Sequence, residues 1–150
     1  KKSMEKQMVK FKEEHINTAL FGDIYLQDLR DQRTANCKQQ GMQAEFPLWQ
    51  SNTDELLKEF ISLGFKSIVT CVDGSVLDES FVGRVIDESF LNDLPDGVDV
   101  CGENGEYHSF VFDGPIFCNP VEFEIVQRYH IDYPDETNIL QNRHWYLELR

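Results

Sequence analysis

Asn52-Thr53-Asp54-Glu55-Leu56-Leu57-Lys58-Glu59-Phe60-Ile61-Ser62-Leu63-Gly64-Phe65-Lys66-Ser67-Ile68-Val69-Thr70-Cys71-Val72 carries the clearest structural signal in the chain. Asn52 is suited to accept the first free amide of a helix, and Glu55 three residues later completes a capping-box-like pair. Leu56, Leu57, Phe60, Ile61 and Leu63 then recur on one helical face until Gly64 ends the helix. Ile68 to Val72 follows as an unbroken apolar run with β-branched members, which predicts a strand buried on both faces. A helix feeding directly into such a strand is the pattern of an α/β layer.

The upstream sequence repeats the pattern. Ala44-Glu45-Phe46 reads as a short strand before Pro47, and a polar helix is predicted from Tyr25 to about Gln40. Leu26, Leu29, Arg33 and Cys37 line one side of that helix, and Gly41 is placed to stop it. Ile16 to Phe21 is a mostly apolar strand candidate ending at Gly22, preceded by Met4, Met8, Val9 and Phe11 at helical spacing. Strand, helix, strand, helix, strand predicts an α/β fold with parallel pairing.

Downstream the character changes near residues 73–80. Residues 73–99 are acidic and loop-like, with a short helix predicted around Asp87 to Leu94 ahead of Pro95. Strand-like runs follow at Tyr107 to Asp113, Val121 to Tyr129 and His144 to Leu149, with a polar loop over 132–142. In the last run Trp145, Leu147 and Leu149 alternate with His144, Tyr146 and Glu148. Trp49 and Trp145 read as packing residues. The expected plan is a parallel α/β region over 1–75 and a smaller mixed or β-rich region over 76–150.

Charge narrows the partners. A net charge of −13 repels nucleic acid on average, and the lysines at 1, 2, 6, 10 and 12 read as a solvated helix face. No apolar run approaches the roughly 20 residues that span a bilayer, so no membrane partner is expected. Cys37, Cys71, Cys101 and Cys118 form no C-x-x-C pair, which removes support for a zinc ribbon or redox motif. They read as reduced thiols of a cytoplasmic protein. The chain begins at Lys1, within a helical pattern, and is expected to be part of a longer protein.

Two segments concentrate residues with chemical capacity. Cys101-Gly102-Glu103-Asn104-Gly105-Glu106-Tyr107-His108 places two glycines among two carboxylates that suit an amine, an ammonium group or magnesium. Spacing alone favours a tight Asn-Gly hairpin over a ligand loop there, and a metal site from Glu103, Glu106 and His108 is weaker still. Phe21-Gly22-Asp23-Ile24 lies at a strand end, where open α/β sheets bind ligands. Gly22 can admit a phosphate and Arg30 can reach an anion; a plain turn into a helix started by Asp23 or Asp28 fits as well. His15, His130 and His144 read as structural or surface residues, and the acids at 73, 78, 79, 87 and 88 as a solvated loop. No serine sits in a nucleophile elbow, and no residue is singled out as catalytic or as a resident metal ligand.

Taken together, Phe21-Gly22-Asp23-Ile24 with Arg30, Phe46-Pro47-Leu48-Trp49, Glu55-Leu56-Leu57 to Phe60, Gly64-Phe65-Lys66, Leu77-Asp78, Phe81-Gly83-Arg84, and Cys101 to Phe112 with Asp113-Gly114-Pro115-Ile116-Phe117 resemble one family. It is that of the diphthine–ammonia ligases, among the ATP pyrophosphatases of the adenine-nucleotide α-hydrolase type. The resemblance implies a HUP-type parallel sheet flanked by helices, its end lying in 1–75, and a smaller substrate-side region over 76–150. It implies ATP and Mg2+ as cofactors and an AMP-forming amide ligase that adenylates a carboxylate of a protein or small molecule, then amidates it. Glu103, Asn104, Gly105, Glu106 and His108 are then expected on the substrate side, with Glu103 and Glu106 serving the chemistry more than the fold. Gly22, Asp23 and Arg30 are expected to face the nucleotide. Asn104 and His108 stand where diphthine ligases carry Gly and Glu, as in the family's bacterial branch. The family's S-G-G-K-D-S pyrophosphate loop is expected ahead of Lys1. The alternative is a nucleotide-binding or regulatory module of the same fold without turnover; a homo-oligomer is compatible with either.

Overall fold

The computed structural model describes residues 7, 10–133 and 143–150. The helical stripe read from Met4, Met8 and Val9, the lysines at 1, 2 and 6, and most of the polar loop at 132–142 lie outside them. The fold is mixed α/β, in two compact units that divide between Ser51 and Asn52.

The first unit contains a βαβ crossover. Strand β1 (Thr18–Leu20) leads to helix α1 (Gln27–Gln39), and β2 (Gln43–Glu45) returns parallel to β1 with Ala19 opposite Ala44. Gly41 adopts a φ of 66° just past the helix, a conformation that costs glycine little. Cys37 and Met42 are buried there against Ala19, Phe21 and Ala44. Beyond β2 the chain turns, and the Gln50 N–H donates to the Ile24 carbonyl at 2.7 Å, tying the segment after β2 to the one after β1.

The second unit holds an antiparallel sheet ordered β4-β3-β6-β5: β3 (Lys66–Asp73), β4 (Tyr107–Asp113), β5 (Ile125–Asp132) and β6 (Arg143–Leu149). Helix α2 (Thr53–Ser62) precedes β3, and its Asn52 cap accepts the Glu55 N–H at 3.0 Å as expected. Among the described residues, parallel pairing is therefore confined to β1 and β2. β3, predicted to extend a parallel layer, pairs antiparallel with β4 and β6 instead. Its partners come from later in the chain, which is why the packing divides at Ser51/Asn52 while composition changes nearer 75.

The acidic segment after β3 is built of caps and turns. Asp73 accepts the Ser75 N–H and hydroxyl, and Asp78 caps the 3-10 turn Glu79–Phe81. Asp87 caps helix α3 (Glu88–Asp93) through the Phe90 N–H. These side chains satisfy helix-end donors that would otherwise be orphaned. The caps deliver Leu77, Phe81, Val82 and Phe90 into one core with Val69, Val72, Tyr107 and Leu147. Phe90 is fully buried, edge-on to Phe81 and Tyr107.

Candidate functional site

In the second unit, residues 99–106 form a compact loop, and the strand that follows it pairs with β3. The Asn-Gly hairpin favoured by spacing is not what forms. Two carboxylates gather the loop's amides instead. Asp99 Oδ1 accepts the N–H groups of Cys101 at 2.9 Å and Glu103 at 3.2 Å. Glu106 is 7% exposed; its Oε1 accepts the Asp99 N–H at 3.1 Å and the Asn104 side-chain amide at 2.9 Å. Its Oε2 accepts the Asn104 N–H at 3.0 Å. Backbone bonds from Gly102 to Asp99 and from Gly105 to Gly102 complete the loop.

The glycine at 102 is a physical requirement. Its φ is 69°, and a Cβ would stand 2.9 Å from the Tyr107 carbonyl oxygen. Tyr107 anchors the loop from below by donating its hydroxyl to the Val100 carbonyl at 2.5 Å. Cys101, whose thiol lies 3.4 Å from the Thr53 carbonyl, has its pKa pushed up to about 12 by burial, with Asp99, Glu103 and Asp54 adding repulsion. A thiol held neutral in this way is a poor nucleophile.

The loop thus places the expected substrate-side residues in distinct settings. Asn104 and Gly105 are exposed at its tip and Glu103 is half-buried; His108 is exposed on β4, opposite Cys71 of β3. Glu106 turns inward. Among the described residues no group of three or more His, Cys, Asp or Glu side chains could hold a metal. Glu106 spends both oxygens on N–H donors, so the described residues of the loop do not furnish a magnesium site.

In the first unit, a second cluster sits where β1 and β2 end. Phe21 and Phe46 follow the two strands and stack at 5.4 Å, and Trp49 meets Phe46 edge-on at 6.2 Å. Arg30 lies in the first turn of α1, with its guanidinium 4.4 Å from the Trp49 ring centre and 5.3 Å from that of Phe46. Arg33, one helical step on, lies over Phe21 at 4.9 Å and pairs with Asp23 at 2.6 Å. Asp23 is 6% exposed and the Arg33 side chain 30%, so the carboxylate neutralises Arg33 in a half-buried ion pair. Gly22 is exposed, and a Cβ added there would meet nothing within 4 Å. An open strand end beside a guanidinium is compatible with the phosphates of a nucleotide such as ATP.

The sequence reading did not mark Asp99 or Tyr107 as loop anchors, or Arg33 as the partner of Asp23. Asp99 stands two and four residues before the amides it binds, an Asx-turn spacing that an acidic run conceals.

The profile of the diphthamide synthase C-terminal domain family matches residues 52–142. The chain belongs to that family. The match begins at Asn52, the first residue of the second compact unit. Diphthine–ammonia ligases of Bos taurus and Homo sapiens are each 38% identical to the chain over 117 residues, 74% of this chain and 43% of theirs. That of Danio rerio is 33% identical over 111 residues, 70% of this chain and 43% of its own length. The chain thus spans less than half the length of these relatives, and the loop at 99–106 lies inside the family's matched region. No helix among the described residues is long and apolar enough to cross a membrane.

Proposed function

We propose that this chain is part of a cytoplasmic, ATP-dependent, AMP-forming amide ligase of the diphthine–ammonia ligase type. Its membership of the diphthamide synthase family over residues 52–142 carries the reading. ATP activates an acceptor carboxylate as an acyl-adenylate with loss of pyrophosphate, and ammonia displaces AMP to give the amide. The acceptor is a carboxylate of the diphthine kind, on a protein or a small molecule.

Each unit takes a share of the work. Gly22, Asp23 and Arg30 face the nucleotide, with Asp23 acting through Arg33, which it neutralises and fixes. Glu103, Asn104, Gly105 and His108 present the substrate-side surface, and Glu106 positions it from beneath by holding Asn104. A loop whose amides are already bonded to its own carboxylates needs little reorganisation when a substrate arrives, and such preorganisation favours catalysis.

The experiment is to incubate the full-length protein with ATP, ammonia and candidate acids, and to follow pyrophosphate and amide. Amide formation that requires both ATP and ammonia supports the reading. A protein that binds no nucleotide overturns it.

A further inference from the structure

We propose that the Arg30 guanidinium, laid on the Trp49 and Phe46 rings where β1 and β2 end, is the recognition point for the anionic oxygens of a phosphate or carboxylate. The inference deepens the nucleotide-facing reading and rests on it. It assigns the direct contact to Arg30 rather than Asp23 and names the chemistry recognised.

The contrast between two arginines on one helix carries the argument. Arg33 is paired with the buried Asp23 at 2.6 Å. Arg30, three residues earlier, has no carboxylate within ion-pair distance among the described residues, and its recorded side-chain contacts are the two aromatic rings. In a chain of net charge −13 an acidic partner is the easiest thing for an arginine to find, so a guanidinium seated on two rings and uncompensated among the described residues is informative.

Cation–π attraction explains what is left available. A guanidinium held over an aromatic face by its charge keeps N–H groups that can form a two-pronged bond to carboxylate or phosphate. Contact with two rings restricts the side chain before any ligand arrives, which lowers the ordering cost of binding. Nearby, the bond from Gln50 to Ile24 holds the Trp49 turn against the segment after β1. Gly22 leaves open space beside that segment, since a Cβ there would meet nothing within 4 Å.

The test uses the full-length protein and isothermal titration with two probes: AMP for the phosphate source and glutarate for the carboxylate source. Arg30→Met is expected to weaken at least one probe by about tenfold or more, and Arg30→Lys, which keeps charge but loses the fork, by about threefold or more. Loss confined to AMP assigns a phosphate, and loss confined to glutarate a carboxylate. Should Arg30→Met fail to fold, Arg30→Lys decides by the same criterion. Parental affinity for both probes in the folded variants, or no binding of either probe by the parent, overturns the proposal. Pyrophosphate release, measured alongside, separates the two claims. Normal release and binding in Arg30→Met sinks this inference and spares the ligase; Arg30-dependent binding by a parent that releases no pyrophosphate does the reverse.

Discussion

Glu106 holds Asn104 by both of that residue's nitrogens, its Oε2 accepting the main-chain N–H at 3.0 Å and its Oε1 the side-chain amide at 2.9 Å. The same carboxylate accepts the Asp99 N–H, so one buried group ties the start of the loop to its tip. Removing it strands three donors. Glu106→Ala is expected to lower stability by about 3 kcal/mol, whereas Asn104→Ala, at an exposed tip, costs about 1 kcal/mol. Sequence alone expects Glu106→Ala to lower turnover far more than stability; the burial of Glu106 adds a loss of stability to that expectation. Urea denaturation of the two variants checks the order, and an Asn104 variant weaker than the Glu106 variant would refute it.

Glycines at 22 and 114 respond oppositely to a methyl group. A Cβ on Gly114 would overlap the Phe65 ring, which is itself stacked on Phe60 at 4.9 Å and has little room to retreat. Gly114→Ala is expected to cost about 1–3 kcal/mol. Gly22→Ala meets open space and is expected to leave stability unchanged or raise it by up to about 1 kcal/mol. Thermal melts of both variants decide.

Ser67 is 1% exposed on β3, and its hydroxyl has no hydrogen-bond partner among the described residues. A buried, unsatisfied hydroxyl destabilises the fold. Ser67→Ala should therefore raise stability by about 1 kcal/mol; a loss of stability in denaturant titration would show that the hydroxyl is satisfied.

Cys101 makes stability fall at high pH. Its thiol ionises near 12 in the folded chain against an ordinary 9.0, because burial disfavours the thiolate. Its contribution is intact below pH 9.0 and is lost as pH rises toward 12, since only the unfolded chain gains from ionising early. The melting temperature should drop less steeply above pH 9 in Cys101→Ala than in the parent. In the parent, iodoacetamide at pH 8 should modify the exposed Cys118 well before Cys101.

Local signals were the legible ones. Asn52 capping Glu55, the helix ending ahead of Gly64 and the strand from Tyr107 to Asp113 all stand where the sequence places them. Strand partners were not legible, because β3 at 66–73 finds β6 at 143–149 across most of the second unit and no local pattern encodes that choice. β5 was read over 121–129 and forms over 125–132; all eight of its residues are exposed, so no inward-outward alternation marked its ends. At the candidate site the strand end at Gly22 was legible as a place where α/β sheets bind ligands, with Arg30 on the helix that follows. The aromatic seat under Arg30 was not, since Phe46 and Trp49 lie far from it in sequence.

Oxygen tracing tests the ligase reading most directly. An acceptor carboxylate carrying 18O on both oxygens is supplied to the full-length protein with ATP and ammonia. Adenylation forms a bond from one carboxylate oxygen to the α-phosphorus as pyrophosphate leaves; attack by ammonia then breaks the acyl C–O bond. The account predicts AMP bearing one 18O and an amide retaining the other. ADP with 18O in inorganic phosphate, or product with no label in either nucleotide or phosphate, would contradict it.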